Sequence, residues 1–366
     1  MAEPARRLIY PDLLRILAMA AVVTLHVAMR DLRDVPIGSP SWQVMNFYDG
    51  AARWCVPIYV MVSGMFLLRP ARNVDDLRRA YRKAFGRALR LASILVIWSV
   101  VYQGFALRAT RKPVTIEGVV SALWEMWFSP TYYHLWFLYM LVPLYFLAPL
   151  LQVFIARTDP VHQRWLVLVL FVGGPVLTLV TTLVQIITGE GVYRVMPEYT
   201  GYLFYFLLGW WLSTVEPDGR WRRWTMLGGL LGLAVTIGGT WWASRDAGRF
   251  HDGFYNYLAL PTVLVAAAVF VLVRHASRAW QPSPRTTAAV TGASALTLGI
   301  YLLHPALIET FFRLTDLNVS PSPIPEVIWI PLVTALVFAT SMLLAWLVRR
   351  VVILLPRGKD WVGWVI

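Results

Sequence analysis

Residues 10–27 read YPDLLRILAMAAVVTLHV, an apolar stretch that carries an arginine, Arg15, and a histidine, His26. About 20 apolar residues suffice to cross a bilayer as a helix. A charged side chain inside such a helix costs about 2.5–3.5 kcal/mol and usually faces protein or water. Because eleven residues make close to three helical turns, Arg15 and His26 share one stripe, about 16 Å apart along the axis. The segment therefore predicts a membrane helix that lines a polar cavity.

A plainer interpretation of the same helix also fits the sequence. Asp12 and Arg15 would form a helix-start pair at the level of the lipid headgroups, and His26 would be an interfacial residue at the other end. The two interpretations place Arg15 in different surroundings, a protein cavity or the headgroup layer.

The composition of the whole chain is that of a membrane protein. Of its 366 residues, 58% are hydrophobic and only 14% are charged, whereas a soluble domain carries roughly a quarter charged residues. Apolar stretches of spanning length lie at residues 9–29, 51–68, 88–107, 134–156, 165–188, 199–215, 222–243, 254–273, 290–312 and 327–354. The sequence predicts an all-α polytopic membrane protein of about ten helices, one transmembrane domain over residues 1–366 with no soluble domain.

The distribution of basic residues predicts the orientation. Most of the 33 lysine and arginine residues lie between the predicted spans on the side of the N-terminus, above all between residues 69 and 90. Because positive loops stay in the cytoplasm, we expect both termini inside a bacterial-type cytoplasmic membrane. The first span continues without a cleavage site, so we expect it to be retained. The net charge of +13 is then a topology signal that also suits membrane lipids, and nucleic acid is not an expected partner.

The loop from Arg69 to Arg90 contains two pairs of arginines three residues apart. On a helix, residues at this spacing are neighbours, so each pair forms a two-guanidinium fork suited to phosphate oxygens. The pairs are Arg79 with Arg82 and Arg87 with Arg90. The alternative is a positive anchor that contacts only lipid headgroups.

Two more histidines fall at the same predicted depth as His26. His134 begins the fourth predicted span, and His304 lies in the outer half of the ninth. The three histidines form no spaced metal motif, and Cys55 is the single cysteine, so the sequence predicts no metal site and no disulfide. The shared depth predicts a polar site on the outer side.

At these residues the sequence resembles the acyltransferase-3 family of integral membrane acyltransferases. The resemblance lies in the Arg-x10-His spacing of Arg15 and His26 and in the basic pair Arg87 and Arg90. It extends through four further blocks in the family's order, which are residues 56–68 (VPIYVMVSGMFLL), 134–138 (HLWFL), 206–209 (FLLG) and 301–305 (YLLHP).

The resemblance implies transfer of an acyl group, most often acetyl, from cytoplasmic acyl-coenzyme A to a hydroxyl of an extracytoplasmic or lipid-linked glycan-type acceptor. It implies His26 as general base, with Arg15 at the inner mouth, and a covalent acyl-histidine is the alternative path. The coenzyme's phosphates would bind Arg79, Arg82, Arg87 and Arg90. Supporting roles would fall to Asp12, Ser63, His134, Trp136, Tyr301 and His304. No metal is implied, and the chain resembles the family's membrane-only members, so we expect acceptor selectivity in the outer loops at 106–133, 188–199 and 244–253.

A transporter or polysaccharide exporter is the rival class, because ten helices with polar residues at mid-span also describe a carrier. A carrier usually shows broken helices or paired intramembrane charges in two halves. Here the polar residues concentrate in the first four predicted spans and at His304. A membrane scaffold is a third reading, which a buried arginine and histidine disfavour.

Overall fold

The computed structural model describes residues 8–68, 74–109, 115–126, 128–189 and 195–355, and these residues form α-helices and no strand. The helices are α1 (Tyr10–Met29), α2 (Pro40–Ala52), α3 (Cys55–Leu67), α4 (Val74–Ala109), α5 (Ile116–Glu125), α6 (Trp136–Arg157), α7 (Pro160–Phe171), α8 (Leu177–Thr188), α9 (Val195–Thr214), α10 (Gly219–Ala247), α11 (Leu260–Ala276), α12 (Pro284–Ala295), α13 (Thr297–Thr315) and α14 (Glu326–Leu354). A π-helical turn, Val172–Val176, joins α7 to α8, so the two form one segment.

Eight helical segments in the described part of the chain are long and apolar enough to cross a membrane. The number becomes nine if α12 and α13, which meet at a bend of 54°, form one broken span. The all-α polytopic membrane fold is thereby confirmed. The count of ten spans, the cytoplasmic termini and the single-domain assignment stay predictions.

The second span begins earlier than the sequence indicated. A span was expected at 51–68, whereas α2 begins at Pro40 and continues, after a short break at Arg53 and Trp54, into α3. Ser39 caps α2 by accepting a hydrogen bond from the Trp42 amide at 3.2 Å. The polar residues of α2 lowered its hydropathy, but Asn46 and Asp49 are fully buried in protein and do not meet lipid.

The basic segment before the third span is helical, not a loop, from Val74 onward. It runs without interruption into the apolar part of α4. Ile116–Glu125 forms the short amphipathic helix α5, which packs on α4. Arg69 and Arg72 of the basic segment lie outside the described residues, as do residues 110–114, 127 and 190–194 of the expected acceptor loops.

The first helix lies at the centre of the bundle. It contacts α2, α3, α11, α12, α13 and α14. Its residues Leu14, Ala18, Met19 and Val23 are completely buried in the main hydrophobic core. A second, smaller hydrophobic cluster joins α4 to α6, with Ile94 and Leu138 fully buried in it. The protein thus has two apolar bodies with a boundary between them.

Two glycines bring α3 and α9 into close contact in the core. A β-carbon added to Gly64 would lie 1.8 Å from the carbonyl oxygen of Phe206, and one added to Gly209 would lie 2.0 Å from the carbonyl oxygen of Met61. Small residues let membrane helices approach closely and gain van der Waals contact. Two of the sequence blocks, 56–68 and 206–209, therefore meet each other across this contact.

Replacing Gly64 or Gly209 by alanine should destabilise the protein. The obstructing atoms are backbone and cannot rotate away, so the cost should reach about 1–3 kcal/mol or more. The thermal unfolding temperature in detergent measures it. Gly238→Ala is the matched control, because nothing lies within 4 Å of its added β-carbon in α10. An unchanged unfolding temperature for Gly64→Ala would contradict the close approach of α3 to α9.

Candidate active site

A cavity of about 200 Å³ lies at the boundary between the two apolar bodies. Val22 and Val56 line it from the main core, and Leu91 and Leu141 line it from the α4–α6 cluster. Six residues singled out from the sequence line this one cavity, namely Arg15, His26, Ser63, His134, Trp136 and Tyr301. Arg15 and His26 thus line one cavity that follows α1.

Three histidines from distant parts of the chain meet beside this cavity. His26 comes from α1, His134 from the segment before α6, and His304 from α13. The rings of His26 and His304 stack, with centroids 5.3 Å apart and planes inclined by 27°. The His134 ring meets His304 edge-on at 5.8 Å, and Tyr133 lies 4.9 Å from His26. The histidines therefore form one aromatic cluster around His26.

Hydrogen bonds define the ring of His304 better than that of His134. The Nδ1 of His304 lies 3.1 Å from the carbonyl oxygen of Ile300, and because a carbonyl only accepts, Nδ1 carries the proton. Its Nε2 then has a free lone pair. That nitrogen and both ring nitrogens of His134 are buried, and none has a hydrogen-bond partner within the described ranges. Tyr301 donates its hydroxyl hydrogen to the carbonyl oxygen of His134 and so fixes the backbone there.

The other end of the cavity is built around Arg15. Its guanidinium lies 3.6 Å from the carboxylate of Asp12 and 5.1 Å from the ring centroid of Phe66. Tyr59 of α3 donates a hydrogen bond of 2.8 Å to the Arg15 carbonyl oxygen, which fastens α3 to α1 at this level. Asp12 is buried and does not line the cavity.

The four arginines of α4 that form the two pairs do not line the cavity. Arg79, Arg82, Arg87 and Arg90 are exposed, and Arg79 forms an ion pair of 2.7 Å with Asp76. Leu91, the residue after Arg90, does line it. The α4 arginines therefore stand on a helix that forms one wall of the cavity, outside the cavity itself.

Sequence analysis missed a buried ion pair next to the cavity. Asp49 and Arg53 lie 2.6 Å apart, and their side chains are 0% and 12% exposed. The signal was available, because a carboxylate and a guanidinium four residues apart are neighbours on a helix and are rare in membrane segments. The guanidinium of Arg53 stands over the rings of Tyr255 and Tyr257, at 4.3 and 5.5 Å.

The arrangement suits proton transfer better than metal chemistry. In the described part of the chain no group of three or more histidine, cysteine, aspartate or glutamate residues has a geometry that could hold a metal ion. Cys55 is buried and free. The cavity contains a histidine that stacks on another imidazole ring, several hydroxyl groups, and a guanidinium at the opposite end.

Comparison with known proteins identifies a family. A family model described as an acyltransferase domain matches residues 8–346, which is nearly the whole chain. No sequence among the curated proteins and no chain among the solved structures is similar enough to count as a match.

Replacing His134 by phenylalanine should leave the unfolding temperature unchanged or raise it. An unpaired buried polar group costs about 1–3 kcal/mol, and phenylalanine removes both unpaired nitrogens while keeping a ring of similar shape. His304→Phe is the control, because it deletes the hydrogen bond to Ile300 and should lower the unfolding temperature. Equal losses of stability in the two variants would contradict this account of His134.

Proposed function

The chain belongs to the acyltransferase-3 family and is a membrane acyltransferase, and from this premise we propose the reaction that its cavity carries out. The donor is cytoplasmic acyl-coenzyme A, most often acetyl-coenzyme A. The acceptor is a hydroxyl of a glycan-type molecule outside the membrane or lipid-linked at its outer face. Membership of this family favours the enzyme over the transporter and the scaffold.

One observation carries the proposal. A single cavity follows α1 from Arg15 to His26, and it passes between the two apolar bodies of the protein. The donor carries phosphates and is cytoplasmic, whereas the acceptor lies outside, so the acyl group must cross the bilayer. A cavity with a cation at one end and a base at the other, about 16 Å away along the helix axis, suits a thioester-bearing arm that reaches through the membrane core.

His26 acts as the general base in this proposal. The acceptor hydroxyl oxygen forms a bond to the carbonyl carbon of the thioester while His26 takes the hydroxyl proton. The carbon–sulfur bond then breaks, and the protonated imidazole returns the proton to the departing thiolate. The stacked ring of His304 holds His26 in place, and its burial keeps water from the ring face.

The remaining cavity residues support this step. Tyr301 fixes the backbone at His134 through its hydroxyl, and Trp136, two residues further on, forms part of the wall. Ser63 supplies a hydroxyl between the two ends of the cavity. Asp12 holds Arg15, so that its guanidinium stands at the inner mouth for the donor. These residues shape the cavity and orient the groups that line it, whereas His26 carries out the proton transfer.

The phosphates of coenzyme A bind outside the cavity, on the basic face of α4. Arg87 and Arg90 are exposed and three residues apart, and Arg90 directly precedes Leu91 of the cavity wall. Each guanidinium can bind a phosphate through two parallel N–H···O hydrogen bonds, so two neighbouring arginines can hold two phosphate groups or several oxygens of one. Arg79 and Arg82 extend the same helix away from the cavity and add positive charge.

Replacing His26 by alanine should lower the rate of acyl transfer by at least about 100-fold, because general base catalysis contributes about 10²–10⁴-fold. Membranes or nanodiscs containing the variant are incubated with labelled acetyl-coenzyme A, and label in the glycan fraction is counted. His275→Ala is the matched control, since His275 is an exposed residue at the end of α11. Full activity of His26→Ala would remove His26 from the mechanism, and label that stays on the wild-type protein would indicate an acyl-histidine.

Replacing Arg87 and Arg90 together by alanine should weaken binding of acetyl-coenzyme A by at least about tenfold. Each charge-assisted hydrogen bond contributes about 1.5–3 kcal/mol, and about 1.4 kcal/mol equals a factor of ten. Isothermal titration with the protein in nanodiscs measures the dissociation constant. The control is Arg220→Ala with Arg223→Ala, an exposed pair of the same spacing on α10. Equal dissociation constants for both double variants would place the donor phosphates elsewhere.

A further inference from the structure

The buried ion pair of Asp49 and Arg53 lies next to the cavity wall, in contact with Tyr257. It lies in the helical segment Pro40–Leu67, which is apolar enough to cross the membrane. Buried ion pairs contribute little net stability, because desolvation offsets their attraction, and apolar residues of similar volume often serve as well. Ionisable residues in membrane segments are by default candidates for function. The question is which group this cation acts on.

Arg53 contacts two aromatic rings as well as Asp49. Its guanidinium stands over Tyr255 at 4.3 Å and over Tyr257 at 5.5 Å. One guanidinium nitrogen donates to the Tyr255 carbonyl oxygen at 3.4 Å, while the Nε is buried and without a hydrogen-bond partner among the described residues. Of the two tyrosines, Tyr257 lines the cavity. Tyr257 therefore stands between the buried cation and the space where the donor arm would lie.

The position of Tyr257 is held from two sides. Its carbonyl oxygen accepts a hydrogen bond of 2.6 Å from the hydroxyl of Tyr205, a completely buried residue. Its ring stacks on Trp136, with centroids 5.7 Å apart and planes inclined by 26°. Fixed donors stabilise a developing charge best, because they need no reorganisation during the reaction.

Three other hydroxyl groups that line the cavity donate their hydrogens to backbone carbonyl oxygens. Tyr59 donates to Arg15, Tyr301 donates to His134, and Thr297 donates to Ser294. Within the described ranges the Tyr257 hydroxyl makes no such donation to a backbone carbonyl. A hydroxyl has one hydrogen to give, so Tyr257 keeps a donor available to a ligand.

We propose that Tyr257 donates a hydrogen bond to the carbonyl oxygen of the acyl thioester, and that Arg53 strengthens this donor from behind. The inference rests on the proposed function. As the acceptor oxygen bonds to the carbonyl carbon, the carbonyl electron pair moves onto its oxygen, and the Tyr257 hydroxyl stabilises that negative charge. When the carbon–sulfur bond breaks, the carbonyl reforms, and Tyr257 keeps its proton throughout. Tyr257 is a catalytic residue in this account, and Arg53 is a positioning residue.

The first test is Tyr257→Phe, which removes the hydroxyl and keeps the ring on Trp136. Loss of one oxyanion donor should lower kcat by about 10²–10³-fold, with the dissociation constant for acetyl-coenzyme A unchanged. Tyr202→Phe is the matched control, because Tyr202 also contacts the Trp136 ring, at 5.8 Å, but does not line the cavity. Its kcat should stay close to wild type. A Tyr257→Phe variant with wild-type kcat would overturn the inference.

The second test replaces the ion pair as a unit, Asp49→Leu with Arg53→Met, so that no single charge is left buried. The double variant should unfold at a temperature near that of wild type and lose much of its kcat. Fluorinated tyrosines at position 257 provide a readout that a structural role would not move. We expect kcat to change with the acidity of the phenol, and by a different factor once Arg53 is gone. If kcat depends equally on the acidity of the phenol with and without Arg53, Arg53 does not act on the Tyr257 hydroxyl.

Different results would contradict the proposed acyl transfer and the proposed role of Tyr257. If the wild-type protein transfers no acyl group from acetyl-coenzyme A, the proposed function is wrong. If His26→Ala abolishes transfer while Tyr257→Phe retains full kcat, the proposed function stands and the role of Tyr257 is wrong.

Discussion

The cost of placing Arg15 and His26 in an apolar helix governs the rest of the structure. Neither side chain can face lipid cheaply, so protein must surround the helix that carries them. The first helix accordingly lies at the centre, in contact with six other helices. The stripe that holds the two side chains faces the one boundary at which the main core and the α4–α6 cluster leave space. The cavity thus occupies space between the main hydrophobic core and the α4–α6 cluster.

The close approach of α3 to α9 shows how packing serves this cavity. Neighbouring residues on a helix point about 100° apart, so Ser63 can face the cavity while Gly64 meets the backbone of α9. A larger residue at position 64 would push α3 away from α9. The Tyr59 hydroxyl, which fastens α3 to the carbonyl of Arg15, would then move with the helix. The Ser-Gly pair therefore combines a polar wall with a close helix contact.

Several buried polar atoms at the His26 end have no hydrogen-bond partner within the described part of the chain. Among the described residues these unpaired atoms include both ring nitrogens of His134, the Nε2 of His304 and the Nε of Arg53. Native proteins pair most buried polar atoms, so each unpaired atom needs an explanation, and a catalytic role is one of them. In the reaction that we propose, the thioester and hydroxyl groups of the substrates would supply hydrogen-bond acceptors and donors at this end of the cavity.

The sequence by itself determined the membrane-helical class, the family, and the stripe of Arg15 and His26, because hydropathy, composition and helical spacing are local properties of the chain. It did not give the extent of the second span or the helical form of the segment before the third, since burial of Asn46 and Asp49 depends on distant helices. Only the tertiary structure decided that His26, His134 and His304 meet, that Arg53 stands behind Tyr257, and that the α4 arginines lie outside the cavity. The physical reason is that these contacts join residues tens to hundreds of positions apart, and their distances follow from how the helices pack.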